Sequence, residues 1–136
     1  MHRLILLIAT LCLLWGNPVS AQISGGGGGG GAAVSALSLM SGVTTNTTSA
    51  TLAGVSGPKT FWAEVVGTGA VSVLVTIYGA RTSAAANGVL LATLSLSGTT
   101  QAQDAAATST APYPYYYAVT SGISGTSATV RVEIFN

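Results

Sequence analysis

The sequence predicts an all-β protein built as an antiparallel β-sandwich, of the immunoglobulin-like or jelly-roll kind. Three observations support this fold class. From Ala36 onward, apolar residues alternate with polar or small ones at a period of two, which is typical of half-buried strands. Turn signals that contain glycine separate these runs at short intervals. Residues 22–136 show no helical period, so we expect about five to eight short strands.

The alternating runs differ in how clearly they predict strands. The clearest are residues 71–78, with three valines and Ile77 on one face, and residues 128–135 near the C-terminus. In residues 90–96 the alternation turns Leu90 inward and Leu91 outward, and in residues 61–65 it turns Phe61 inward. A fifth strand is expected near residues 115–120. Weaker strands are expected near residues 36–43 and 49–55.

Short glycine-containing segments predict the connections between these strands. Residues 67–69 (GTG) are short enough to close a hairpin between strands that end at Val66 and begin at Ala70. Further turns are expected at residues 56–58, 87–88, 97–98 and 121–125. Residues 101–104 (QAQD) are interpreted as a loop.

The N-terminal residues predict export. A basic start, an apolar run over residues 4–15 and the small residues Val19, Ser20 and Ala21 are typical of a secretory signal peptide over residues 1–21. The alternative is a retained membrane anchor, which the short apolar run disfavours. The expected organisation is a signal peptide cleaved after Ala21, a glycine-rich flexible linker over residues 22–35 and a β-sandwich over residues 36–136. We therefore expect a secreted, periplasmic or cell-surface protein.

The charged and nucleophilic residues exclude most enzymatic chemistry. Residues 22–136 contain no histidine and no cysteine, and their acidic residues are Glu64, Asp104 and Glu133. General acid–base catalysis, thiol catalysis and transition-metal binding depend mainly on these residue types. We expect neither an enzyme nor a metal or cofactor site. Three scattered cations also disfavour nucleic acid and an electrostatic attachment to membranes.

Most of the predicted sandwich resembles a known structural module. The similar segments are residues 59–72 (KTFWAEVVGTGAVS), 75–79 (VTIYG), 88–98 (GVLLATLSLSG), 111–113 (APY) with Tyr115, 123–126 (ISGT) and 128–130 (ATV). In this order they resemble a β-sandwich module of tailed-phage virion proteins, across about residues 59–134. The resemblance implies a structural role as a decoration or tail-associated protein, and association with a virion.

Several large side chains are expected on outer faces. If Phe61 points inward, Trp62 points outward, and the same alternation places the other candidates outside. The candidate interface residues are Trp62, Leu74, Tyr78, Leu91, Tyr115 and Tyr117. We interpret them as a patch that a second subunit or another partner buries, because large exposed apolar patches mark interaction sites. The alternative is that a loop or the N-terminal strand of the same chain covers them.

These observations favour a non-catalytic structural or interaction module. With no net charge in residues 22–136, little electrostatic repulsion opposes self-association. We expect a homo-oligomer or a larger assembly, such as a decorated virion or cell-surface particle. The alternative is a glycan-binding module, in which the tyrosines of residues 113–117 stack on sugar rings and Gln101, Gln103 and Asp104 supply hydrogen bonds.

Overall fold

The computed structural model describes residues 35–54 and 56–136, apart from the side chain of Ala106. The described residues form six antiparallel strands and no helix: β1 (Ala36–Val43), β2 (Leu52–Ala53), β3 (Lys59–Ala80), β4 (Val89–Gly98), β5 (Gln101–Ser109) and β6 (Tyr115–Phe135). The predicted all-β antiparallel class is therefore confirmed. The expected signal peptide and residues 22–34 of the expected linker lie outside the described residues.

The strands form one hydrogen-bonded sheet, in the order β1–β6–β3–β4. β3 and β6 are long enough to serve two sets of neighbours each. β3 pairs with β5 through residues 59–66 and with β4 through residues 71–79. β6 pairs with β2 near its start and with β1 near its end. We call the half of the sheet that contains β1 and β5 layer 1, and the half that contains β2 and β4 layer 2.

The two layers pack face to face. Phe61 belongs to layer 1, while Tyr116 belongs to layer 2, where it pairs with Gly79. Gly79 follows Phe61 by eighteen residues, which on a straight strand would separate them by about 60 Å. Their ring centroids are nevertheless 6.4 Å apart. The sheet therefore bends across its middle, so that one layer covers the inner face of the other.

The bend corrects two predicted turns. Residues 67–69 do not close a hairpin, and residues 121–125 do not connect two strands, because β3 and β6 run without interruption through both segments. The register between β3 and β6 shifts three times between Val66 and Leu74. Such irregularities increase the bending of a strand, and they allow it to pass from one layer to the next. The glycines thus mark a corner of the sheet.

Gly125 shows why the corner requires glycine. Its φ angle is +115°, and a Cβ atom built on it would lie 2.8 Å from Cγ1 of Val71. Gly67 lies on β3 in the same corner, where a Cβ atom would lie 3.0 Å from Cα of Ala128. A side chain at Gly125 would press on Val71, and one at Gly67 would require β6 to shift slightly.

The core lies between the two layers. Its residues are the inward-facing members of the long strands together with residues of β1 and β4. They include Leu39, Met40, Phe61, Val65, Val71, Val75, Ile77, Leu94, Leu96, Tyr116, Val130, Val132 and Ile134. The alternation predicted for residues 71–78 and 128–135 is confirmed, since these valines and isoleucines are buried. Tyr116 is fully buried, which places Tyr115 and Tyr117 on the opposite face of β6.

β5 is the strand that the sequence did not reveal. Residues 101–104, expected to be a loop, begin this strand and pair with residues 63–66 of β3. The side chains of β5 that pack against the core are Ala102 and Ala107. Alanine gives a weak alternation signal beside glutamine, serine and threonine. The turns expected at residues 56–58, 87–88 and 97–98 do lie at strand boundaries.

Candidate interaction surface

The outer face of layer 2 is built from three adjacent strands in register. Tyr78 of β3 lies between Tyr117 of β6 and Leu90 of β4, and Leu74 lies between Ser121 and Ser95 in the same way. Between the row that contains Tyr78 and the row that contains Leu74 lies a third row, formed by Thr76, Val119 and Thr93. These nine strand residues include no charged side chain. We call them the layer 2 face.

Leu90 and Leu74 are the most accessible apolar residues of this face. Leu90 is 54% exposed and Leu74 is 38% exposed. Val89, which begins β4, is 53% exposed as well. An exposed apolar group set among serine and threonine hydroxyls is easily desolvated, because few strongly hydrated charges surround it. The layer 2 face therefore suits contact with another protein surface.

The predicted orientations of Leu90 and Leu91 are reversed in the structure. Ile77 pairs with Ala92 whereas Tyr78 pairs with Leu90, so one extra residue of β4 lies between these pairs. This bulge reverses the alternation for the first part of β4. Leu91 packs against the core, while Leu90 faces outward. The proposal of Leu91 as an outward interface residue was therefore wrong, and Leu90 takes its place.

Tyr78 and Tyr117 form a stacked pair that the chain itself partly covers. Their ring centroids are 5.0 Å apart, and the ring planes differ by 11°. The backbone N–H of Gly88 donates a hydrogen bond to the Tyr117 hydroxyl at 3.2 Å. Tyr117 is only 5% exposed, whereas Tyr78 is intermediate. For Tyr117, the alternative prediction is therefore correct, since a loop of the same chain covers it. Tyr78 remains partly accessible at the rim of the layer 2 face.

Trp62 lies on the outer face of layer 1 and does not join the other candidates. It pairs with Glu133, and the guanidinium of Arg131 lies 6.0 Å from the Trp62 ring. Arg131 also forms an ion pair with Glu133. Glu64, on the same face, accepts hydrogen bonds from Gln101 and Gln103. The expected single patch of outward apolar residues is therefore divided between two faces, and the face with Trp62 is the charged one.

Tyr115 lies at the start of β6, in layer 2. It pairs with Ala80 of β3 and with Ala53 of β2, and it is half-buried. The residues proposed to assist the tyrosines in glycan binding lie elsewhere. Gln101 and Gln103 pair with β3 in layer 1. The structure does not bring them together with Tyr115 and Tyr117.

The free edge of β4 is regular from Ala92 to Gly98, beyond the bulge at Leu91. From Ala92 to Gly98, β4 pairs with β3 without any register shift, and β4 contains no charged residue and no proline. Natural edge strands are normally guarded by charges, prolines or bulges. Among the described residues, β1 contains two register shifts and β5 contains both Asp104 and a register shift. β4 thus offers unguarded N–H and C=O groups beside the layer 2 face.

Across residues 35–54 and 56–136, no group of three or more histidine, cysteine, aspartate or glutamate residues is arranged to hold a metal ion. No helix in these residues has the length and hydropathy that a membrane span requires.

Two features of this surface were not predicted from the sequence: the outward orientation of Leu90 and the free edge of β4. The composition of β4, which lacks charges and proline, was a visible signal for an unguarded strand. The bulge and the position of β4 at an edge depend on pairing with β3, which the local sequence does not encode. No protein-family model matches this chain, and no curated protein sequence is significantly similar to it.

Proposed function

We propose that this protein is a non-catalytic structural module that self-associates through the edge of β4 and the adjacent layer 2 face. The regular, uncharged edge of β4, flanked by the exposed leucines Leu90 and Leu74, is the observation that carries the proposal. Backbone groups at such an edge form hydrogen bonds with a further strand. The mechanism is sheet extension combined with burial of apolar side chains.

A second copy of this chain is the partner that fits this surface best. In a twofold dimer, β4 of one copy would lie antiparallel to β4 of the other. The two copies would then contribute the same surface patch to the interface. A face without charges has no like-charge repulsion against its own copy. The charged residues Glu64, Arg131 and Glu133 all lie on layer 1, outside this interface.

The N-terminal sequence and the resemblance to virion modules support a proposal for where this protein acts. We propose export by the signal peptide over residues 1–21, with residues 22–34 joining the cleavage point to the sheet. The resemblance of residues 59–134 to virion modules supports a role as a building block of a particle or of a cell surface. Symmetric pairing through β4 would give dimers, and a second contact through another edge would give larger assemblies.

Sedimentation equilibrium of residues 22–136 tests the proposal with two matched variants. Thr93→Lys places a charge on the exposed side of β4, and Thr108→Lys places the same charge on β5, the edge strand of layer 1. We expect the dimer dissociation constant to rise about tenfold or more for Thr93→Lys. It should change by less than about twofold for Thr108→Lys. A folded wild-type protein that stays monomeric at millimolar concentration would refute self-association.

A further inference from the structure

A cleft at the end of the sheet opposite the corner combines aromatic, cationic and neutral polar groups. Tyr113, in the connection between β5 and β6, lies beside the connection between β3 and β4 at this end. The cleft between them has a volume of ≈ 300 Å³. Its lining residues are Gly79, Arg81, Thr82, Ala86, Asn87, Val89 and Tyr113.

Arg81 is the cation of this cleft, and its guanidinium is available to a ligand. Among the described residues, the other two cations have partners. The Lys59 ammonium donates a hydrogen bond to the carbonyl of Gly57, and Arg131 pairs with Glu133. Arg81 is exposed and forms no hydrogen bond or ion pair with any described residue. No carboxylate lines the cleft either, so the local charge is positive.

The neutral polar side chains of the cleft also lack hydrogen-bond partners among the described residues. Within the described part of the chain, neither the side chains of Thr82 and Asn87 nor the Tyr113 hydroxyl has a hydrogen-bond partner. These residues and Arg81 line the same cleft, so a hydroxyl, an amide, a phenol and a guanidinium belong to its lining side chains. A ligand with several hydroxyl groups can satisfy such donors and acceptors without introducing an unpaired polar group.

The walls of the cleft are fixed by contacts outside it. The hydroxyl of Thr51 donates to the carbonyl of Ser83 at 2.8 Å, and the N–H of Gly88 donates to Tyr117. These bonds hold the middle and the end of the segment that carries Arg81 and Asn87. Asn87 itself has a φ angle of +58°. Asparagine adopts this left-handed region more readily than most residues, which agrees with the turn predicted at residues 87–88.

Tyr113 forms the opposite wall of the cleft, and its position is also fixed by contacts with the rest of the protein. Its ring packs so closely on Gly79 that a Cβ atom there would overlap the ring. Its backbone N–H donates to the hydroxyl of the buried Tyr116 at 3.0 Å. The aromatic wall is therefore anchored to the core, and a ligand would meet a site that needs little rearrangement.

We propose that this cleft binds a saccharide that carries a carboxylate group, of the uronic acid class. The Arg81 guanidinium would pair with the carboxylate in a charge-assisted hydrogen bond. Thr82 and Asn87 would bond the sugar hydroxyls, and Tyr113 would contact the apolar side of the ring. A single cation without clustered backbone donors is a poor match for a phosphate dianion. The volume suits one or two sugar rings, at the small end of ligand sites.

This site is distinct from the glycan site that the sequence suggested, and it does not depend on self-association. It uses Tyr113 but neither Gln101 nor Gln103, which lie in layer 1. It also leaves the β4 edge from Ala92 to Gly98 free. Ligand binding and assembly can therefore be measured separately.

Titration calorimetry with digalacturonic acid tests the proposal, with galactobiose as the neutral comparison. We expect the wild-type protein to bind the acidic disaccharide at least about tenfold more tightly than the neutral one. Arg81→Gln should remove this preference, whereas Arg131→Gln, on the outer face of layer 1, should leave it unchanged. Asn87→Gly retains a residue suited to positive φ and removes the amide, and it should weaken binding of both disaccharides.

Three results would overturn the proposal. The first is a folded wild-type protein that binds neither disaccharide at millimolar concentration. The second is binding of digalacturonic acid that Arg81→Gln does not weaken, or that Arg131→Gln weakens equally. The third is inorganic phosphate that binds more tightly than digalacturonic acid and displaces it, which would assign the cleft to phosphate.

Discussion

The backbone N–H of Tyr113 donates a hydrogen bond to the hydroxyl of Tyr116 at 3.0 Å. The same hydroxyl donates to the carbonyl of Ala111 at 2.9 Å. A side chain at the centre of the core thus fixes the connection between β5 and β6, which in turn positions Tyr113 beside the cleft. Four predictions follow from contacts of this kind.

Tyr116→Phe should lower the free energy of unfolding by about 1–3 kcal/mol. The variant keeps the ring against Phe61 but removes the hydroxyl that bonds both the Tyr113 N–H and the Ala111 carbonyl, so these two groups keep only their direct hydrogen bond of 3.2 Å. Urea denaturation followed by tryptophan fluorescence measures the loss. Tyr115→Phe is the matched control, because the Tyr115 hydroxyl has no hydrogen-bond partner among the described residues. Equal losses in the two variants would contradict the prediction.

Gly125→Ala should destabilise the corner more than Gly122→Ala does. Gly122 has a φ angle of +64°, in the left-handed region that alanine adopts at a cost of about 1–2 kcal/mol, whereas the φ angle of +115° at Gly125 lies outside that region and costs alanine more. A Cβ atom at Gly125 would also press on Val71, whereas one at Gly122 would meet open space. We expect an additional loss of about 1 kcal/mol or more for Gly125→Ala. Thermal unfolding of the two variants side by side would show it, and equal melting temperatures would argue against a tightly packed corner.

Gly88→Ala should release the segment that covers Tyr117. A Cβ atom at this position would lie 2.5 Å from the Tyr117 hydroxyl and 2.8 Å from Cβ of Tyr78. The hydrogen bond from Gly88 to Tyr117 should be lost, and amide hydrogen exchange should accelerate about tenfold at residue 88 and at Ala86, whose N–H groups are hydrogen-bonded. Exchange measured by mass spectrometry tests this, with Ala85→Ser in the exposed part of the segment as control. Unchanged exchange in Gly88→Ala would mean that the contact does not hold the loop.

The double variant with Leu74→Ser and Leu90→Ser should weaken self-association while the monomer stays folded. Leu74 is 38% exposed and Leu90 is 54% exposed, so each substitution loses apolar surface that is buried within the monomer, and the free energy of unfolding should fall by about 1–3 kcal/mol. Burial of two leucines in a dimer interface should contribute enough that the dissociation constant rises at least about tenfold. Sedimentation equilibrium measures this change. The control is Val66→Ser, an exposed residue of layer 1, which should leave the dissociation constant unchanged.

The periodicity of the sequence predicted most of the strands, while their connections depended on distant partners. Residues 36–43 form β1 with the predicted bounds, and residues 128–135 alternate as expected. Residues 67–69 were predicted to reverse the chain, since closely spaced glycines are typical of hairpin turns. In the folded chain, the N–H of Gly67 donates to Thr100, and Thr68 pairs with Thr126. These partners lie too far along the chain for local sequence to indicate them.

The sequence by itself determined the all-β class, the inward valines and isoleucines, and the lack of histidine and cysteine in residues 22–136. These properties depend on side-chain alternation and composition, which are local. Only the tertiary structure decided that Leu90 rather than Leu91 faces outward, that Trp62 and Tyr78 lie on different layers, and that Arg81 approaches Tyr113. The physical reason is that register, bulges and the corner are set by hydrogen bonds between strands. One residue of slippage in such pairing reverses every side chain that follows.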